Sequence, residues 1–353
     1  MIAVCIEPGS SDSLRLEDRT EPAPGPGDLL VEVLAVGICG TDHEIIEGDF
    51  GHPPPGRDRL VLGHEAVARV LGTPEGSRFE VGDLVAPIVR RPDPLPCPPC
   101  AVGEWDMCQN GRFAEAGIRG LDGYATERLA LPEEFAVPVV AATGALGVLV
   151  EPASVVAKAW EHILHIGARA VWEPKTALVT GAGPIGLLAA LFALDHCEQV
   201  YVLDRVADGT KPALVGDLGA IYQHEGLTAI DQRFDVVIEC TGDTGLMLEA
   251  PEKTRPNGIV CLAGVAGEGS SGAAGFARDM VLENRTMFGT VNANRRHYEQ
   301  AARVLAAADH SWLERMIDRR VPIDDWRDAF RREPDAVKTV IEFLPPGSPS
   351  AAS

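Results

Sequence analysis

Thr176-Ala177-Leu178-Val179-Thr180-Gly181-Ala182-Gly183-Pro184-Ile185-Gly186 carries a short apolar run into a glycine turn, and the turn opens onto a second apolar stretch, Leu187 to Leu194. A Gly-x-Gly-x-x-Gly spacing alone is weak information. Directly after a predicted strand and ahead of a predicted helix it has a physical use: glycines let backbone N–H groups close on a pyrophosphate at a helix N-terminus. Further short strands are predicted at Gln199 to Leu203, Phe234 to Cys240 and Gly258 to Ala263, with helical stretches between them. That alternation makes βαβ units and a parallel sheet. The second strand ends at Asp204, roughly twenty residues after Gly186, where an acid accepts hydrogen bonds from the adenosine ribose and repels a 2′-phosphate. NAD is thereby favoured over NADP. Arg205 works against that preference, and a plain turn residue is the other reading of Asp204.

The chain before this region has a different texture. Ile2, Val4 and Ile6 alternate with polar or small residues, as does Leu30-Val31-Glu32-Val33-Leu34, and the turn-rich Glu21 to Gly27 lies between them. Leu60 to Leu71 and Asp83 to Val89 continue the pattern of an antiparallel sheet, so an all-β N-terminal domain is expected. Beyond the parallel region, a strand is predicted from Met287 to Val291 and a helix from His297 to Ala307. Val337 to Leu344 reads as a strand returning to the first domain, and residues 345–353 as a disordered tail. The expected domains are 1–155 with 296–353, and 156–295.

Two groups of residues in the first domain have metal-binding chemistry. Gly37-Ile38-Cys39-Gly40-Thr41-Asp42-His43-Glu44 and Leu60-Val61-Leu62-Gly63-His64-Glu65 bring a thiol, an imidazole and a carboxylate. A catalytic zinc needs three such ligands and one open position. Cys97, Cys100 and Cys108 stand at C-x2-C-x7-C in a loop rich in Pro and Gly, the spacing of a structural zinc that orders a loop with little core of its own. Asp93 is the nearest candidate for a fourth ligand there, and free loop thiols are the alternative. Glu151, in Leu149-Val150-Glu151-Pro152, reads by itself as a charge at a helix start, which the macrodipole favours. The predicted helix there runs from Ser154 to Ile166. Cys5, Cys197, Cys240 and Cys261 sit in or beside apolar runs and read as buried thiols.

The whole chain sets limits on partners and location. Its 353 residues exceed what one core usually serves, which agrees with two domains. No run of about 18 apolar residues and no basic leader are present, so neither a membrane span nor a signal peptide is expected, and the location is taken as cytoplasmic. A formal charge of −21, spread along the chain, argues against nucleic acid and anionic membranes. Solubility accounts for such a surface, and so does a high-salt habitat.

These residues together resemble the zinc-containing medium-chain dehydrogenase/reductase superfamily, and more narrowly its archaeal-type glucose dehydrogenase branch. The superfamily marks are Gly37-x-Cys39-Gly40-Thr41-Asp42, Gly63-His64-Glu65, Gly82-Asp83-Leu84-Val85, the cysteine lobe and the glycine turn. The branch marks are Gly-Thr-Asp-His-Glu at 40–44, Leu-Val-Leu-Gly-His-Glu-Ala at 60–66, Val-Arg-Arg at 89–91, Glu115-Ala116-Gly117-Ile118, Glu151-Pro152 and Gly289-Thr290-Val291-Asn292.

The resemblance implies an α/β chain: a GroES-like β-rich catalytic domain and a Rossmann, doubly wound parallel-sheet domain. It implies a catalytic zinc on Cys39, His64 and Glu151, with Glu65 as a ligand or an exchangeable carboxylate beside it, and Asp42 orienting His64. Thr41 would bind the substrate hydroxyl and start its proton relay, with His43 or Glu44 as the next step. Glu115, Glu151 and Asn292 would bind sugar hydroxyls. Gly181, Gly183, Pro184, Ile185, Gly186, Asp204, Arg205, Thr241 and Asn292 would contact the nicotinamide cofactor. The implied reaction takes hydride from C1 of D-glucose or a related aldose and yields the lactone. A polyol, cyclitol or amino-alcohol substrate is the alternative within the superfamily, and a non-catalytic nucleotide-binding protein the alternative outside it. A homodimer or homotetramer is implied as well. Three departures stand out: three lobe cysteines where four are usual, Ala68 in place of the last glycine of Gly-His-Glu-x-x-Gly, and Asp204 where many members of the branch carry basic residues for NADP.

Overall fold

The computed structural model describes residues 1–48, 50–264, 285–333 and 335–343. They form two compact units, Met1–Ser154 with Asn292–Ser353, and Val155–Val291. The expected tail at 345–353 lies outside the described residues, as does Val281 to Asn284.

The first unit is organised around the strand Asp28–Ile38. Its alternate residues Leu29, Val31, Val33 and Ala35 are fully or almost fully buried, the period-2 pattern that the sequence shows. This strand pairs antiparallel with Glu65–Gly72, Arg128–Pro132 and Thr339–Glu342. The returning strand near the C-terminus therefore completes the central sheet, with Ile341 opposite Val36. Val33, Val36, Ile45, Leu60, Leu62, Ala125 and Ile341 pack into one apolar cluster on it. Burying a side chain of that size contributes roughly 1.5–3 kcal/mol each.

Two local details depart from the sequence reading. The unit is not all-β, because Gly40–Glu47 is an α-helix directly after the long strand. Only Asp42 and Ile45 of its eight residues are buried, so it has no apolar period to recognise. Its caps hold it instead: Asp42 Oδ2 accepts the Cys39 N–H at 2.9 Å, and Gly48 ends the helix at φ 91°. The second departure is that Leu60 to Leu71 is two strands, Leu60–Val61 and Glu65–Gly72. Gly63 breaks them at φ 85°, and a Cβ there would come within 2.6 Å of Val36 Cγ1. This break turns His64 and Glu65 toward the end of the long strand.

In the second unit six strands form one all-parallel sheet in the order Ile221–Gln223, Gln199–Leu203, Thr176–Thr180, Phe234–Glu239, Thr254–Leu262, Thr286–Gly289. Every residue of Thr176–Thr180 is buried, as expected of a central strand covered on both faces. The next two strands in sequence lie on one side of it and the three after them on the other, which makes its carboxyl end a topological switch point. The helix after the glycine turn starts at Pro184, three residues earlier than predicted, because proline suits the first helical position.

The helix expected from Ser154 begins at Val150, so Glu151 lies in its first turn. Together with the preceding 3-10 turns it makes Ala141–Gly167, the one described helical stretch long and apolar enough to cross a membrane; 67% of its most apolar window is buried inside the protein.

Candidate metal, sugar and dinucleotide sites

The strand–turn–helix at Cys39 and the strand start at Glu65 bring the first metal-binding group together. Gly37 and Glu65 are partners across the antiparallel pair, so the residues next to them converge. Cys39 Sγ stands 2.9 Å from His64 Nε2, and the ligand atoms of Cys39, His64 and Glu65 all lie within 4.8 Å of one another. On the far side of the imidazole, Nδ1 is 3.6 Å from Asp42 Oδ1, and Asp42 is fully buried. Asp42 Oδ1 and His64 Nδ1 are buried without a hydrogen-bond partner, and the buried Glu65 Oε2 has the Lys338 ammonium beside it. A soft thiolate, an imidazole and a carboxylate with spare lone pairs in so small a volume are the donor set of a zinc site.

The electrostatics of the group follow from its burial. Burial opposes charge on His64, but Cys39 and Asp42 outweigh it and its pKa stands well above the histidine range. Glu65 is met by Lys338 Nζ, which also donates to the Ile38 carbonyl at 3.0 Å. Glu151 stands outside the tight set but close enough to feel it. Burial, reinforced by the Glu65 and Glu115 carboxylates, pushes its carboxyl up to about 7 against the pull of His64 and Lys338. Thr41 and His43 are half-buried on the capped helix and Glu44 is exposed there. Burial, and then Arg332, lowers the His43 pKa.

Glu115 and Asn292, 177 residues apart, do meet: Asn292 Nδ2 donates to Glu115 Oε1 at 2.9 Å. Arg90 joins them, and sequence reasoning assigned it no role. Lys338 was also missed, because a lone lysine in a sequence reads as a solvated surface charge.

The cysteine lobe is assembled only in part. Cys97, Cys100 and Cys108 lie within 4.8 Å of one another. Backbone N–H groups of Gln109 and Cys100 pull the Cys97 thiol below its usual range, whereas burial pushes Cys100 up. Asp93 is not in the set. Its Oδ2 pairs with Arg112 Nε at 3.2 Å and its Oδ1 accepts the Leu95 N–H at 2.8 Å.

In the second unit the glycine turn has the geometry its sequence implies. Gly181 has φ 91°, Gly183 caps the helix that Pro184, Ile185 and Gly186 begin, and a Cβ on Gly186 would collide with the Gly181 carbonyl. Asp204 Oδ2 accepts the Ala182 N–H at 2.6 Å, and Lys211 Nζ lies 3.8 Å from that oxygen. Beside them is a cavity of about 480 Å³, lined by Gly181, Asp204, Arg205, Lys211, His224 and Thr241 among others. Thr241 is held at its rim by Glu239, a fully buried carboxylate that accepts the Thr241 N–H at 2.7 Å and also its hydroxyl. Lys211 and His224 are a further pair that the sequence did not single out.

Comparison with known proteins agrees with this architecture. Residues 25–141 match the alcohol dehydrogenase GroES-like domain, and residues 144–343 match the glucose dehydrogenase C-terminus. The chain is 38% identical to glucose 1-dehydrogenase 1 of Caldivirga maquilingensis, over 98% of this chain and 99% of that protein. It is 40% identical to glucose 1-dehydrogenase of Thermoproteus tenax, over 97% and 99%. Among solved structures, Haloferax mediterranei glucose dehydrogenase in complex with NADP, Zn and gluconolactone superposes with a TM-score of 0.90, at 32% identity over 98% of this chain and 99% of that one. A GroES-like domain, a parallel dinucleotide-type sheet and full-length likeness at this identity lead to one conclusion: the chain belongs to the glucose dehydrogenase branch of the zinc-containing medium-chain dehydrogenases.

Proposed function

We propose that the protein is a zinc-dependent sugar dehydrogenase that oxidises C1 of D-glucose, or a close aldose, to the lactone with a nicotinamide cofactor. The observation that carries this reading is the buried convergence of Cys39, His64 and Glu65, in an electrostatic neighbourhood that includes Glu151 and Glu115. The gluconolactone in the Haloferax structure supports the product class. Zinc on this set supplies a Lewis acid that makes the sugar hydroxyl more acidic, and nicotinamide supplies the hydride acceptor.

The chain's own residues have the remaining tasks. Cys39, His64 and one or both of Glu65 and Glu151 are the metal ligands, and Asp42 holds the His64 ring by its second nitrogen. Thr41 takes up the proton released from the C1 hydroxyl and passes it along its helix to His43 or Glu44, while C1 loses hydride. Glu115 and Asn292 bind the other sugar hydroxyls. Asp204 holds the adenosine ribose and favours NAD, against the pull of Lys211 and Arg205 in the same cavity; the Haloferax structure contains NADP. The lobe offers three thiols to a structural zinc, and Asp93, engaged by Arg112, is not placed as its fourth ligand. A homo-oligomer and a cytoplasmic location complete the proposal.

The test is the initial rate of reduced-nicotinamide formation with NAD and NADP, against aldoses, polyols and amino alcohols, with and without a chelator. Chelator-sensitive turnover of D-glucose or an epimer supports the reading. Turnover confined to polyols or cyclitols overturns the sugar and keeps the chemistry.

A further inference from the structure

Arg90 is 6% exposed and Glu115 7%, and they face each other across two short antiparallel strands. Arg90 donates from Nε at 3.0 Å and from Nη2 at 2.9 Å, and both bonds end on the same oxygen, Glu115 Oε1. A guanidinium ordinarily spreads such a pair over the two oxygens of a carboxylate. Asn292 Nδ2 brings a third donor to Oε1. Oε2 accepts no hydrogen bond among the described residues.

The frame behind this arrangement is fixed on both sides. Arg90 stacks 3.8 Å from the Phe113 ring centroid and donates from Nη1 to the Asp106 carbonyl at 3.0 Å. Asn292 has φ 59°, a left-handed conformation that asparagine tolerates, and its Oδ1 accepts the Ala293 N–H at 2.8 Å. Asn294 Nδ2 ties the same segment to Asp106 Oδ1 at 2.8 Å. Neither donor to Oε1 is therefore free to turn away.

We propose that Arg90 is a positioning residue for sugar recognition: with Asn292 it fixes Glu115 through Oε1 and leaves Oε2 aimed at ring hydroxyls other than the one oxidised. The inference rests on the reading of Glu115 as a sugar-binding carboxylate. An ionised carboxylate oxygen has acceptor sites only, so Oε2 selects O–H donors, and its two lone pairs suit neighbouring hydroxyls. A sugar lacking the bound hydroxyl leaves Oε2 desolvated and unmatched, which is the costly kind of mismatch. Aim matters more than charge here, because a carboxylate that swings away keeps its charge and loses the bond.

The experiment measures kcat and KM for D-glucose and a set of monodeoxy glucoses in the wild type, Arg90→Met, Arg90→Lys and Glu115→Gln. The wild type should disfavour at least one deoxy sugar by about 10- to 100-fold in kcat/KM. Arg90→Met should reduce that discrimination to within about threefold, mainly through KM for glucose, and Arg90→Lys, which keeps the charge without the fork, should restore part of it. A uniform fall on glucose and every analogue would make Arg90 structural and overturn the proposal. Where Arg90→Met does not fold, wild-type discrimination in Arg90→Lys overturns it instead. Full discrimination in Glu115→Gln, or none in the wild type, would overturn the reading of Glu115; loss in Glu115→Gln with retention in Arg90→Met overturns Arg90 alone.

Discussion

Lys338 Nζ faces the Glu65 carboxylate within the metal-ligand group, and the two side chains are 1% and 4% exposed. Burial works against the ammonium, but Glu65, followed by Cys39, outweighs it and raises the Lys338 pKa. Lys338 immediately precedes the returning strand Thr339–Glu342, so the C-terminal segment delivers a cation to a site made of residues from the first 65. Gly37 makes room for it, since a Cβ there would meet both Glu65 Oε2 and Lys338 Cε.

Removing one partner of such a pair leaves a buried charge uncompensated. Lys338→Met should destabilise the metal-free protein by about 3–5 kcal/mol in urea unfolding, and Lys338→Arg by much less. A loss below about 1 kcal/mol for Lys338→Met would show that Glu65 does not depend on Lys338.

Asp42 is joined to the ligand set through His64 Nδ1, 3.6 Å away, and its other oxygen caps the helix. Asp42→Asn keeps the shape and removes the charge. Zinc affinity, measured by competition with a chromogenic chelator, should fall about 10- to 100-fold, with circular dichroism unchanged. Unchanged affinity would dissociate Asp42 from metal binding.

On the proposed reading Asp204 and Lys211, 3.8 Å apart, would act in opposite directions on the adenosine ribose. Asp204→Ser should lower the NAD-to-NADP ratio of kcat/KM by about tenfold, since it removes a charged acceptor for ribose hydroxyls. Lys211→Ala should raise that ratio by withdrawing a cation from a 2′-phosphate. Movement of both ratios in the same direction would refute this division of roles.

Outside the sites, His196 lies against Trp160 with ring centroids 4.7 Å apart, and burial lowers its pKa below the usual histidine value. A base whose folded pKa is depressed contributes stability above its unfolded pKa, near 6.5, and loses it as pH falls below that value. Urea unfolding of the wild type should weaken between about pH 6.5 and 5 more steeply than that of His196→Phe, which keeps the ring contact without the proton. Parallel pH profiles would remove His196 from the acid limb.

Some of this was legible in the sequence for a local reason. Gly181 to Gly186 lies between an apolar strand and an apolar helix, and both signals fall within about twenty residues, the range over which periodicity is read. Cys39, His64 and Glu65 announce themselves by ligand chemistry, and the pattern at Asp28 to Ile38 shows its buried face directly. The capped helix Gly40–Glu47 was not legible, because caps and not an apolar stripe hold it. Asp93 was expected to turn toward the lobe thiols, but Arg112 and the Leu95 N–H satisfy its carboxylate first.

By itself the sequence determined the two-unit α/β plan, the glycine turn with its acid at Asp204 and the types of metal donor, since each is written in neighbouring residues. Only the tertiary structure decided which polar groups meet. Arg90 finds Glu115 across 25 residues and Asn292 finds it across 177, while Lys338 reaches Glu65 from the far end of the chain. Buried polar groups must be matched, and the match is set by strand register and packing, which no stretch of sequence contains.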